Sequence, residues 1–346
     1  MGQILPTVLS TLYAVKKSSP RVFYKAAVSI ISLLMSFKLL HLAFNWAKVV
    51  QHITEVEDQL PTGRNRRLRG RVNLVIGFFF TLYLVDYILE VWFHVKFTTT
   101  CYHEGVSLRS YLHYVVPWTK AYFGYCHWVS WVFEIFRVQT KLVVYFPDLF
   151  IVTISMYLTS CFEEFNKYVV RHQNHTPPMW HILRQHYTDL CGMVKIIDKS
   201  VGFFIITSFS QNLFLICVDL FKIIRNDMAH DLHGCSEEDS DIILGSALRS
   251  SHFVFNLASL SLRIVIVGLF AARIQTVARQ PAIVIYDLKP GLYDVHAKRF
   301  LEQIHTLTPS LSGHHFFFVT NKAILSMFAS VITYELVILQ FSSLNI

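Results

Sequence analysis

Several residues in this chain have the types and spacings that hold polar ligands at membrane depth. Asp148 opens an apolar run, 147–162. A carboxylate just inside a protein cavity can accept two hydroxyls of a polyol while aromatic faces cover the ring's C–H side; a capping or interfacial aspartate has the same sequence context. Asp86 and Glu90 lie one helical turn apart in another apolar run, so both can face one side, toward a ligand or toward a cation on a neighbouring helix. Gln211 and Asn212 interrupt a third run, where amides either bind helices together or hold a ligand hydroxyl. Trp92, Tyr114, Trp118, Trp128 and Trp131 can stack on a ring or form an aromatic belt at the membrane interface. Arg263 is a lone cation in mid-run. Glu335 comes up from the opposite direction to matching depth, and the two are expected to pair between the last two spans.

The chemistry of enzymes is missing from the sequence. No Ser/His/Asp set, phosphate loop or CxxC pair occurs. His314 and His315 have no second HxxH set to complete a metal box, and Cys101 with His103 is half of a zinc site. No enzyme activity, cofactor or metal is therefore expected. No Lys/Arg run interleaves with aromatics in the manner of a nucleic-acid surface.

The elements that would position these residues are transmembrane helices. Of 346 residues 53% are hydrophobic and 15% aromatic, more apolar surface than a soluble domain carries, so the fold class is an all-α membrane bundle. The net charge of +8 then marks loops on the cytoplasmic side. Six cysteines are scattered without a disulfide pattern. Lys16 and Lys17 follow the apolar part of residues 1–20, the reverse of a signal peptide, and none is expected.

Spans are predicted at 22–46, 72–95, 147–162, 201–221, 246–272 and 320–344. Lys25 and Lys38 in the first must pack on protein or snorkel. Residues 111–136 are apolar enough to tempt a further span, but Pro117, Lys120, His127 and Glu134 break them. Topology decides. If 111–136 does not cross, the basic loops around 64–71, 163–200 and 273–315 share one side and the acidic loop 222–245 faces the other. The prediction is a folded outer loop over 97–146, both termini outside, and an inner anchor built from 163–200 and 273–315. Asn174, the only N-x-S/T acceptor, then lies in the cytoplasm and stays bare.

The last run carries a pattern. At about 100° per residue, Thr333, Val337, Gln340/Phe341 and Leu344 fall on one stripe. Polar groups closed by an aromatic suit a pore lining with a hydrophobic gate, and a helix–helix packing face would read the same way.

Thr333-Tyr334, five further residues, then Gln340-Phe341 resembles the C-terminal signature of insect gustatory receptors. The text LSGHHFFFVTNKAILSMFASVITYELVILQF (311–341) is similar to the sugar-receptor branch. FNWAKVVQHITEVEDQL (44–60) with its Arg cluster resembles the first inner loop of those receptors; 147–166, 183–221 and Ser261 to Arg263 resemble their fourth, fifth and sixth spans. The similarity covers roughly 40–346, and the family's first span has no clear counterpart. The resemblance implies a tetrameric ligand-gated cation channel of the plasma membrane, as homotetramer or as heteromer with sister receptors, with six to seven helices per subunit. It implies a pore and gate at Thr333, Tyr334, Val337, Gln340, Phe341 and Leu344. It implies a sugar or polyol site among Asp86, Tyr87, Glu90, Trp92, Asp148, Gln211 and Asn212; Asp86-Tyr87 stands where the family usually has Glu-His. The other readings open to the sequence are a non-conducting binding or accessory subunit, and a G-protein-coupled receptor or transporter. The absence of DRY-like and NPxxY-like motifs and of halved repeats speaks against the last two.

Overall fold

The computed structural model describes residues 4–17, 20–59, 66–102, 127–173, 179–224, 239–289, 291 and 293–344. Nine helices occur among the described residues: α1 (Ile4–Lys17), α2 (Pro20–Gln59), α3 (Arg66–Tyr102), α4 (His127–His172), α5 (Trp180–Ile224), α6 (Asp239–Ala278), α7 (Pro281–Tyr286), α8 (Val295–Thr306) and α9 (Asn321–Leu344). Five are long and apolar enough to cross a membrane, over Ala26–Asp58, Leu68–Lys96, Trp131–His172, Trp180–Leu220 and Ser251–Tyr286. α9 adds 24 residues, about 36 Å at 1.5 Å per residue. The protein is a multi-pass membrane bundle.

The core lies between α4 and α5. Ile151, Leu158, Phe162, Phe165 and Val169 recur along α4 at three, four and seven residues, and Leu183, Tyr187, Leu190, Val194, Ile197 and Val201 do so along α5. That spacing puts each set on one helical face, and the two faces meet. α2 and α3 turn large apolar side chains outward, including Leu34, Phe44, Leu74, Phe80 and Ile88, as suits helices that meet lipid. α6 packs along α3, α4 and α5.

The expected outer loop at 97–146 is corrected over 127–146. These residues are helical and continuous with the predicted span, and the stretch long and apolar enough to cross a membrane runs from Trp131 to His172. Pro147 does not stop the helix. It removes one ladder donor, which a transmembrane helix tolerates where a neighbour re-satisfies the loosened carbonyls. Arg263 Nη2 donates to the Val144 carbonyl at 3.3 Å, one turn before the proline. Residues 103–126 and Asn174 lie outside the described residues.

The basic ends of the helices gather at one end of the bundle. Glu163 of α4 pairs with Arg273 of α6 at 2.9 Å and lies 3.9 Å from Arg71 of α3. Asn166 donates to the Val277 carbonyl and to Gln280, each at 2.9 Å. Asp294 caps α8 by accepting from the Ala297 amide at 2.7 Å. α8 buries Ala297, Phe300 and Ile304, and the Phe300 ring lies 5.5 Å from Tyr187 and 6.4 Å from Phe165. The segments 163–200 and 273–315 thus pack on each other.

Residues 311–319 form a tight hairpin before α9. The Val319 amide donates to the Leu311 carbonyl, and the Phe316 amide to Gly313. His314 (φ 53°) and His315 (φ 65°) occupy the centre of that turn in the left-handed region, as a primed turn requires. Asp198 of α5 holds the hairpin, accepting from the Ser312 amide at 2.6 Å and its hydroxyl at 2.7 Å.

Candidate functional site

Two buried polar clusters stand one above the other between α3, α4, α5 and α6. The deeper one is built on Asp148. Its side chain is fully buried, and Arg263 opposite is 2% exposed. Arg263 reaches Asp148 Oδ2 with Nε at 2.8 Å and Nη2 at 2.5 Å. The Ser208 hydroxyl donates to Oδ1, and Asn212 Nδ2 lies 3.4 Å from Oδ2. The guanidinium carbon sits 3.9 Å from the centre of the Tyr145 ring, a cation–π contact sealed from water. Four donor atoms from two other helices thus share one carboxylate, which leaves it little capacity for a ligand hydroxyl. Arg263 pairs with Asp148, and the contact expected with Glu335 is not among those described. The Glu335 side chain lies outside the described residues.

The second cluster lies toward the Tyr102 end of α3. Lys141 of α4 contacts Asp86 at 2.8 Å and also pairs with Glu90. Arg137, one turn earlier on α4, pairs with Glu90 at 3.0 Å and with Glu134 at 2.6 Å. The Tyr87 hydroxyl donates to Glu134 at 3.0 Å. Three carboxylates face two cations, so these groups carry one negative charge in excess. Glu90, Arg137 and Lys141 keep roughly a fifth of their side-chain surface open. Such a cluster can exchange one of its ion pairs for hydroxyls of a polyol without burying a new charge.

Aromatic rings connect the clusters. Tyr87 stacks near Tyr83 at 6.4 Å, Tyr83 meets Tyr145 edge-on at 5.6 Å, and Tyr145 lies over Arg263. Among the described residues no group of three His, Cys, Asp or Glu side chains can hold a metal ion.

A family model described as Trehalose receptor matches residues 4–345. The chain belongs to the trehalose receptor family. It is 27% identical over 340 residues to gustatory receptor 5a for trehalose of Drosophila melanogaster, covering 96% of this chain and 71% of that one. It is 22% identical over 321 residues to the fly's gustatory receptor for sugar taste 64f, covering 90% of this chain and 64% of that one. The chain therefore spans about two thirds of the length of these relatives. The fold is similar to the insect olfactory receptor OR5 of Machilis hrabei, with a TM-score of 0.66 at 12% identity over 98% of this chain and 87% of that one. The same receptor in complex with eugenol gives a TM-score of 0.62. These are receptors and not enzymes. The family match reaches back to residue 4, further than the resemblance traced from residue 40, and it takes in α1, which packs against α2.

Within this sugar-receptor family member, the predicted site residues divide into separate groups. Asp86, Tyr87 and Glu90 join one cluster, and Asp148 and Asn212 join the other. Gln211 faces a different side of α5, toward Ile31 of α2. Trp92 is half exposed. On α9, Thr333, Tyr334, Val337 and Gln340 are exposed, while the side chains of Phe341 and Leu344 lie outside the described residues.

Sequence reasoning missed Lys141, Arg137, Tyr145 and Ser208. The first three lay in a segment read as loop, so their three- and four-residue spacing with Glu134 was not placed on a helix. Ser208 precedes Asn212 by one turn on α5, and that spacing was the available signal.

Proposed function

We propose that the chain is a subunit of a cation channel in the plasma membrane that opens when a sugar-like polyol binds. The observation that carries this reading is the register of α9. Its seam against α5 and α6 runs through Ile324, Met327, Phe328 and Val331. At about 100° per residue, Thr333, Val337 and Gln340 point roughly opposite that seam. They are exposed in the single chain. The Thr333 hydroxyl is satisfied by the Ala329 carbonyl at 2.9 Å; it is the exposed placement of these polar side chains at membrane depth that favours water over lipid. Copies arranged about an axis, four on the family resemblance, give them a watery pore, with Gln340 and Phe341 as its gate. Sister receptors can supply some of the copies.

The cluster of Asp86, Tyr87, Glu90, Glu134, Arg137 and Lys141 is our candidate for the polyol site. A relative whose printed name gives trehalose supports a sugar as ligand. Asp148, Arg263 and Asn212 act behind it, joining α4 to α5 and α6, the two helices on which α9 rests. Binding opens the pore only if the open state holds the sugar more tightly. The basic end, with Arg71, Lys167, Arg184 and Arg273, faces the cytoplasm, and the C-terminus lies outside. There the packed segments 163–200 and 273–315 anchor the assembly.

Single-channel recording of the purified chain in bilayers, with a panel of sugars, tests the reading. Sugar-evoked currents whose ion selectivity changes in Gln340→Leu support it. A folded assembly that binds sugar but stays silent overturns the channel and leaves a non-conducting binding subunit.

A further inference from the structure

A cavity of about 460 Å³ opens between α2 and α5, lined by Ile31, Ile206, Thr207, Ser210, Gln211 and Phe214. It lies on a different face of α5 from Ser208 and Asn212, so it is separate from both clusters. Ser210 is exposed and Phe214 is 42% exposed, which puts the mouth on the outer surface of the bundle. Gln211 is only 4% exposed, and its Nε2 donor finds no hydrogen-bond partner among the described residues. A buried amide donor without a partner costs about 1–3 kcal/mol, so the position calls for an acceptor.

Depth selects what can arrive there. Gln211 lies ten residues from each end of the apolar run 201–221. Each distance is about 15 Å along the helix, which puts Gln211 midway along that span. A sugar would lose its hydration at such a place, whereas a lipid-soluble molecule already resides there. The volume falls within the ordinary range for a small-molecule site; Ile31, Ile206 and Phe214 supply apolar wall, Thr207 and Ser210 add hydroxyls, and the Gln211 amide is the buried donor that has no partner among the described residues.

We infer that the α2–α5 cavity binds an uncharged, mostly apolar molecule from the bilayer, whose single acceptor oxygen takes the Gln211 amide proton. The occupant enters sideways from the lipid. This inference does not depend on where the sugar binds or on whether the chain conducts.

Photolabelling tests it on the full chain in phosphatidylcholine nanodiscs, with a mid-chain ketone carrying a diazirine as probe. Label is expected on peptides containing Ile206 to Phe214 or Ile31. The same ketone without the diazirine should compete on the order of fivefold to tenfold better than hexadecane at equal mole fraction in the bilayer, the share of one neutral hydrogen bond. In Gln211→Leu that preference should vanish while labelling persists, and Ile31→Trp should fill the space and abolish labelling. The wild-type competition decides alone if a variant fails to fold. Absence of label from α2 and α5, or equal competition by ketone and hexadecane, overturns the inference; the latter means a greasy surface and no site.

Discussion

Replacing Arg263 with methionine removes the only cation bonded to the Asp148 carboxylate among the described residues. The carboxylate would keep the Ser208 hydroxyl and the more distant Asn212 amide. It would lose two charge-assisted bonds, at 2.8 and 2.5 Å, in a place with no exposed surface. Breaking one side of a buried ion pair costs about 3–5 kcal/mol, because the remaining charge stays buried. At about 1.4 kcal/mol per tenfold, the folding equilibrium constant under fixed conditions should fall by about two to three and a half orders of magnitude.

Asp148→Leu should cost a similar amount, since the guanidinium then keeps only the Val144 carbonyl and the face of Tyr145. The double variant removes both charges and should be more stable than either single one, leaving only Ser208 and Asn212 to find new partners, at about 1–3 kcal/mol. A double-mutant cycle should therefore give a coupling of at least about 2 kcal/mol. Arg263→Lys retains charge but loses the two-donor geometry and the flat stacking face, and should fall between wild type and methionine. The assay is thermal unfolding of detergent-purified protein followed by size-exclusion fluorescence, with Glu335→Gln as control. Additive single costs in the double variant, or an Arg263→Met loss below about 1 kcal/mol, would refute the pairing; a large Glu335→Gln loss with rescue by Arg263→Met would restore the partner first expected.

Other consequences are more local. Asp198→Asn weakens the clamp on the hairpin before α9 and should cost about 1.5–3 kcal/mol, read as faster protease cleavage near His314 and His315. Gly268→Ala drives a new Cβ into the Ile324 side chain at the α6–α9 seam. It should displace α9 and alter assembly or currents, with partial rescue by Ile324→Val; unchanged behaviour would mean that the seam is loose. Gly202→Ala would meet the His314 backbone nitrogen at 3.1 Å and should destabilise by about 1 kcal/mol or more in the same unfolding assay. Among the described residues, Lys141→Met removes the cation bonded to Asp86 and leaves Glu90 paired with Arg137. It should shift sugar sensitivity at least as strongly as it lowers stability, and a pure loss of stability would exclude the cluster from the ligand site.

Hydrophobic length made the helices legible, and their partners were not. The predicted spans at 22–46, 72–95, 201–221 and 246–272 fall inside long helices because twenty apolar residues have few alternatives to crossing a bilayer. The stretch 127–146 was assigned to a loop because Pro117, Lys120, His127 and Glu134 interrupt 111–136 and the placement of the basic loops favoured no crossing there. Inside the bundle Pro147 and Glu134 are accommodated by neighbours. Arg263 covers the carbonyl loosened near the proline, and Glu134 takes Arg137 and Tyr87. That assignment hid the second cluster: with 137 and 141 in a loop, Asp86 and Glu90 had no cation on a neighbouring helix. Arg263 was marked as needing a partner, since the cost of leaving a charge alone depends on depth and not on fold. Which partner it takes depends on helix rotation, and periodicity read on one helix at a time says nothing about its neighbour's phase. Asp148 shows this most clearly. Its four donors come from positions 208, 212 and 263, spread over two other helices. A site assembled in this way joins three transmembrane helices at one point, so a shift in any one of them must be felt by the other two.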